Sequence, residues 1–443
     1  NKRTLPELMR DAKKFGMKAT MAERAAWGDM RMDATDIADV TGYALLMQGR
    51  PTAAEPTLAF QPGQRVRLRF INGSAMSFMD IRIPGVLMTI VAADGRPVQP
   101  VTVDEFRMGV AETYDVIVEP PAGAHALWLE TLDRRASVLG RLTSDPALTV
   151  AAPAARPKQV LLLAEMGHSM PAPGEACTAE HAAMGHCQIA GVTPAAAAAD
   201  PDCPPEHAAM GHCTLKTAGP RAGTAVALAA RPASGTPFPV VDYGFGKDPM
   251  AGMDHSQMKG MMNMPVLGKE GDTDGSGRVF GWATGAPYGA RVLSMRDLVA
   301  LSPKEAAPPT REIIVRLQGN MERYIWTLNG HKFGEGPPID VRFGERVRVT
   351  FINETMMAHP MHLHGMFFEV ENGQAPGLMP EKNVIVVAPG RTQSIILTAN
   401  EAGEWPLHCH LLYHMNSGMM GKLVVANVLG PDGKAAPAVQ HVH

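Results

Sequence analysis

Phe343-Gly-Glu-Arg-Val-Arg-Val-Thr-Phe-Ile-Asn-Glu-Thr355 matches Pro62-Gly-Gln-Arg-Val-Arg-Leu-Arg-Phe-Ile-Asn-Gly-Ser74 at a constant offset of 281 residues. Both stretches alternate apolar and charged residues, the period of a strand with one covered face. The same offset sets Met47-Gln-Gly49 beside Leu328-Asn-Gly330, so one fold is used twice. Short strand-like runs surround each copy, broken by Gly and Pro. The first copy has Met79–Ile83 and Tyr114–Val118. The second has Arg311–Leu317, Asn383–Val387 and Ser394–Leu397. Strands at this spacing predict an all-β chain built of tandem sandwiches or barrels. Val160–Ala164 reads either as a last strand of the first copy or as the lead into a linker.

The two copies differ in chemistry. The second contains Trp405-Pro-Leu-His408-Cys409-His410-Leu-Leu-Tyr-His414-Met-Asn-Ser-Gly-Met419, three histidines, one cysteine and two methionines close together. Thiolate, thioether and imidazole together are the ligands of a blue-copper site. With His408-Cys409-His410 in a strand, Cys409 points to one face and both histidines to the other. One strand then serves two metal sites back to back. His359-Pro-Met-His362-Leu-His364 supplies further ligands: His362 and His364 share a face and His359 is free to point elsewhere. The constant offset places Phe78 of the first copy where the second has His359, and nothing in the first copy resembles the His-Cys-His stretch. The first copy is expected to be structural and the second to hold the metal.

Residues 166–290 break the strand pattern. Cys177-Thr-Ala-Glu-His181-Ala-Ala-Met-Gly-His186-Cys187 recurs as Cys203-Pro-Pro-Glu-His207-Ala-Ala-Met-Gly-His212-Cys213. Each unit either closes its own disulfide, as in an oxidising compartment, or binds a soft metal. A duplicated structureless insert is the plainer alternative. Met250, Met253, His255, Met258, Met261, Met262 and Met264 follow, in a chain unusual for its 30 methionines. Methionine used as core filler would scatter, whereas clustering with histidine favours labile Cu(I) capture. Met356 and Met357 read equally as core or as a path toward the metal.

Leu5, Leu8, Met9 and Ala12 predict one or two short helices within residues 1–34. The opening Asn1-Lys-Arg lacks an initiator methionine and an apolar signal core, and reads as a processed or truncated front. Residues 429–443 read as a loose tail. The formal net charge of -3 argues against nucleic acid as the main partner. No apolar run reaches 18 residues, so no membrane-spanning helix is expected.

With these motifs in view, the chain resembles the multicopper oxidases, and among them the periplasmic copper-resistance type. His359-Pro-Met-His-Leu-His-Gly-Met366, the His408–Met419 stretch, Met253-Asp-His-Ser-Gln-Met-Lys-Gly-Met-Met262, Phe70-Ile-Asn-Gly-Ser-Ala-Met76 and Val91-Ala-Ala-Asp-Gly95 carry the resemblance. It implies cupredoxin-like Greek-key domains at 35–165, without copper ligands, and at 291–428, with them. It implies type 1 copper on His359, Cys409, His414 and Met419, type 2 copper on His362, and a type 3 pair on His364, His408 and His410. Electrons would pass from type 1 copper through Cys409 to His408 and His410, with O2 reduced to water. The donor would be Cu(I) or a small phenol, and the compartment the periplasm. The family pattern also needs four more cluster histidines from an amino-terminal cupredoxin domain, and no His-X-His lies between Asn1 and Ala358. The chain is therefore expected to supply half of the cluster. Two alternative readings are a copper-sequestering protein dominated by its insert and a one-copper electron-transfer module.

Overall fold

The computed structural model describes residues 5–29, 37–40, 42–161, 278–287, 289–320 and 323–426. The first repeat folds into strands β1 (Thr57–Ala59), β2 (Val66–Ile71), β3 (Met79–Arg82), β4 (Met88–Ala93), β5 (Arg96–Val103), β6 (Glu105–Met108), β7 (Thr113–Val118), β8 (Ala124–Thr131) and β9 (Ser137–Thr143). They form a five-stranded sheet in the order β1-β9-β8-β3-β6 and a four-stranded sheet in the order β2-β7-β4-β5. The second repeat contributes β12 (Arg311–Asn320), β13 (Ile325–Leu328), β14 (Ile339–Arg342), β15 (Arg346–Asn353), β16 (His359–Leu363), β17 (Phe368–Val370), β18 (Glu381–Lys382), β19 (Val384–Val387), β20 (Thr392–Thr398), β21 (Gly403–Cys409) and β22 (Met420–Ala426). Its sheets run β13-β12-β15-β20-β17-β18 and β14-β22-β21-β16-β19. Between facing sheets lie alternate residues such as Leu68, Val116 and Ile90, or Val347, Val349 and Phe351, all buried. Removing that apolar area from water holds each sandwich together, at roughly 1.5–3 kcal/mol for each fully buried large side chain.

The repeat is visible atom by atom. Met47 bridges Arg50 and Leu328 bridges His331 around two equivalent turns. Asn72 donates to the carbonyl of Ser77, and Asn353 to that of Met357. Here the two copies separate by one residue, because the first copy spans five positions from asparagine to acceptor and the second only four. The extra residue slides β3 by one step. Met79, not Phe78, therefore starts the strand where His359 starts β16, each at the first pair of its ladder. Carried through the register, Ile81 opposite Leu129 corresponds to Met361 opposite Cys409, and Arg82 opposite Trp128 to His362 opposite His408. The constant-offset expectation at Phe78 is thereby corrected.

Three other expectations change. Helices α1 (Leu5–Phe15) and α2 (Met17–Asp29) are present, but Leu5 and Met9 are exposed, and the buried residue of α1 is Asp11. Its carboxylate pairs with the buried Arg278 at 2.5 Å and Phe15 meets Phe280 edge-on, so an ion pair and an aromatic contact hold the helix here. The insert ends earlier than residue 290. β10 (Lys158–Val160) pairs in parallel with β11 (Arg278–Phe280), and the returning chain covers the first barrel through Trp282, whose ring meets Phe78 edge-on. Met356 and Met357 are core, 2% and 3% exposed. The residues 162–277 and 427–443, with the Cys, His and Met clusters of the insert, lie outside the described residues.

Candidate metal centre

β16 and β21 lie side by side and antiparallel, with His362 opposite His408 and Met361 opposite Cys409. Alternation along both strands sorts the ligand-type side chains onto two faces. On the inner face Cys409 Sγ lies 3.6 Å from His359 Nδ1 and 3.8 Å from His414 Nδ1, with the two nitrogens 3.2 Å apart. His414 comes from the short helix α3 (Leu412–Asn416), one turn beyond the cysteine. Met419 joins the group through the backbone: Cys409 N–H donates to its carbonyl at 3.0 Å, and its own N–H donates to the carbonyl of His414 at 2.9 Å. Met420 pairs with His408 and so takes the other face. Gly418, at φ +122, makes the turn into Met419, and a Cβ there would strike the Trp326 carbonyl.

His359, Cys409, His414 and Met419 are all fully buried. A point equidistant from the three ligand atoms lies about 2.1 Å from each, close to first-row metal bonds to nitrogen and sulfur of roughly 2.0–2.3 Å. Burial lowers the His359 imidazole well below its usual range, and His414 beside it adds to the effect. Burial also lowers His414, partly offset by its bond to Asp39. Both rings are therefore neutral with lone pairs available. Burial pushes the Cys409 thiol up, and a bound cation would reverse that preference.

Each buried ring is held by its other nitrogen. His359 Nε2 lies 2.7 Å from Thr355 Oγ1, and His414 Nε2 lies 2.9 Å from Asp39 Oδ2. Tyr324 donates to the same Asp39 oxygen at 2.5 Å. Burial would raise the Asp39 carboxyl, but His414 and Tyr324 more than offset this and hold it below its ordinary value. Trp326 stacks on His414, with centroids 3.8 Å apart and planes at 23°.

The outer face gathers the other four histidines. His364 Nε2 and His408 Nε2 are 3.0 Å apart, and ring centroids separate His362 from His364 by 4.7 Å and from His410 by 5.6 Å. His362 Nδ1 meets the carbonyl of Asn383 at 2.8 Å, which leaves Nε2 for a metal. Burial brings His362 and His408 down to about 4, so both are neutral near pH 7. His364 is exposed and His362 and His410 are half-buried, so this face is open where the inner site is closed. Gly365, at φ +77, lets the chain turn after His364 beneath the Trp405 ring. The two clusters, His359–Cys409–His414 and His362–His364–His408, are the metal-sized groups found among the described residues. A buried thiol beside two imidazole nitrogens suits copper better than the oxygen-seeking cations.

Sequence profiles of the multicopper oxidase family match residues 11–138 and 306–428. The chain is 39% identical over 435 residues to copper resistance protein A of Escherichia coli, covering 96% of this chain and 66% of that protein. It is 36% identical over 446 residues to copper resistance protein A of Pseudomonas syringae pv. tomato, covering 96% of this chain and 67% of that one.

This chain belongs to the multicopper oxidase family.

Its cofactor is accordingly copper. The chain spans about two thirds of the length of these relatives. Its fold is similar to that of Fet3p, described as a multicopper oxidase that functions in iron import, with a TM-score of 0.50 at 12% identity, over 91% of this chain and 63% of Fet3p.

Sequence reasoning assembled both histidine groups and missed their supports. Thr355 had a signal, because Asn353-Glu-Thr355 repeats Asn72-Gly-Ser74 and both hydroxyls bond the asparagine side chain. Asp39 had none, since it lies 375 residues from His414. Trp326 lies in the four-residue strand β13 and Tyr324 in the turn just before it, where no motif marks either.

Proposed function

We propose that the chain is the electron-entry part of a copper-resistance oxidase, with type 1 copper on His359, Cys409, His414 and Met419. His362, assigned to type 2 copper, and His364, His408 and His410, assigned to the type 3 pair, form half of a trinuclear cluster. The observation that carries this reading is the placement of Cys409 on the buried inner site with His408 and His410, its covalent neighbours, on the open histidine face. When bound, copper supplies one-electron oxidation of a donor at the inner site coupled to reduction of O2 to water at the outer one. The protein's own part is positional. Neutral imidazoles aim Nδ1 at the thiol, the closed pocket excludes water, and two covalent neighbours give a short route between the faces. The open face is suited to receive the remaining histidines from another domain.

The donor in this proposal is Cu(I) or a small phenol, in the periplasm, consistent with relatives named for copper resistance. A cavity of about 530 Å³ bordered by Tyr43, Phe70, Met76, Met108 and Tyr413 adjoins α3 and is of a size for a small organic donor. The His and Met clusters of the insert, His181, His186, His207, His212, Met250, Met253, His255, Met258, Met261, Met262 and Met264, are proposed to gather Cu(I). No helix among the described residues is long and apolar enough to cross a membrane.

The test is copper loading of the purified chain, followed by visible absorption, EPR, metal content and oxygen uptake. A strong thiolate-to-copper band with a type 1 EPR signal is expected, without oxygen uptake until the missing histidines are supplied. Absence of the band would overturn the reading. Repeating the titration without residues 166–276, which spares β11, should lower bound Cu(I) and keep the band. Unchanged Cu(I) binding would remove the gathering role.

A further inference from the structure

The first barrel holds no ligand at either site, yet it grips the helix that carries His414. α3 has no side-chain cap at Leu411, and the first N–H groups of a helix have no intrahelical partner. The first barrel provides those partners. Leu412 N–H donates to the carbonyl of Ala75 at 3.0 Å, and Tyr413 N–H to the thioether of Met76 at 3.3 Å. Asp39, in the segment leading into that barrel, reaches His414 Nε2. Asp39 is nearly buried, at 7% side-chain exposure, and His414 is completely so. The carboxylate is thus largely shielded from water where it meets the ring.

The two ligand rings are supported unequally. His359 has the neutral hydroxyl of Thr355, four residues away in its own barrel. His414 has a carboxylate from across the domain boundary, itself steadied by Tyr324, while Trp326 fixes the ring plane. We propose that Asp39 is a positioning residue for the type 1 copper site, fixing the ring and tautomer of His414 and adding negative charge beside the thiolate, with Tyr324 moderating that charge by donating to it. This rests on the copper reading above. Hydrogen bonding to the second nitrogen of a ligating histidine orients the ring and raises its basicity. A carboxylate there favours the more highly charged metal state. Removing the Tyr324 donor leaves more charge on Asp39, so the two changes act in opposite directions.

The experiment compares Asp39→Asn and Tyr324→Phe in the full chain, by the thiolate-to-copper band, the reduction potential of that site and Cu(II) affinity from competition with a chelator. Asp39→Asn should weaken Cu(II) binding about 10–100-fold and move the potential upward. Tyr324→Phe should keep the band and move the potential downward. Potentials that stay put, or move the same way, while the melting temperature falls would reduce Asp39 to a purely structural contact and overturn the proposal. Where Asp39→Asn does not fold, the downward shift in Tyr324→Phe decides alone. No band in the unmodified chain overturns the copper reading itself, a failure distinct from an intact band with an unmoved potential.

Discussion

The sheet around β3 and β8 in the first barrel and the sheet around β16 and β21 in the second keep one register and carry opposite chemistry. On the inner face Met79, Leu129 and Val138 stand where the second barrel has His359, Cys409 and Met419. On the outer face Arg82 and Glu130 stand where it has His362 and His410, and they form a buried ion pair at 3.1 Å. The first barrel's outer face is covered by its own chain. Arg107 and Arg134 pair with Asp80, Arg156 pairs with Glu105, and Arg107 also reaches the carbonyl of Trp282 in the returning segment. The second barrel leaves the same face open with four imidazoles on it. The backbone is thus indifferent to the chemistry. What separates the two copies is which side chains fill a few register positions and whether the chain folds back over them.

Giving the second barrel the first barrel's residue should break the comparison most sharply. Cys409→Leu is expected to abolish the thiolate-to-copper band completely, checked by visible absorption after copper loading. Overpacking should cost about 1–3 kcal/mol in the metal-free chain, because Leu129 fits the equivalent place only with its own neighbours. A surviving band would mean that the ligand thiol lies elsewhere.

Next in size is the ion pair. Arg82→Met leaves Glu130 buried and less compensated, and should destabilise by about 3–5 kcal/mol in denaturant unfolding. Arg82→Met with Glu130→Met should recover much of that loss. If the double variant is no better than the single, the pair is not what stabilises the covered face.

The smallest effect is on acid stability. Burial would raise Asp80, but Arg107 and Arg134 more than offset this and hold its carboxyl at about 2, below its ordinary 3.8. A depressed folded value stabilises the fold above the unfolded value. That contribution should be fully present above about pH 4–5 and fade as the pH falls toward 2. Asp80→Asn should flatten this part of the melting-temperature profile. An unchanged slope would assign acid sensitivity to other carboxylates.

Much of this was legible in the sequence because strands have a period of two. His408-Cys409-His410 announces a two-sided strand, and Arg346–Ile352 announces its repeat at Arg65–Ile71. The period also marks the limit. One extra residue between Ser74 and Ser77 reverses the facing assignments along β3, and alignment by constant offset does not register so small a slip. Asp39 was hidden for a different reason: its importance arises from domain docking, and no local pattern encodes a partner 375 residues away. The inner edge of the insert was hidden as well, because β11 is a three-residue strand whose meaning comes from β10.

The parallel pairing of β10 with β11 makes the two ends of the long insertion near neighbours, with Val160 beside Phe280. A segment grafted across such a closed gap is decoupled from the barrels in length. For a flexible connection, each doubling adds only about 0.6 kcal/mol of closure entropy. On the proposal above that the stretch between residues 161 and 278 gathers Cu(I), its length and composition can change at little expense in closure entropy to the two barrels.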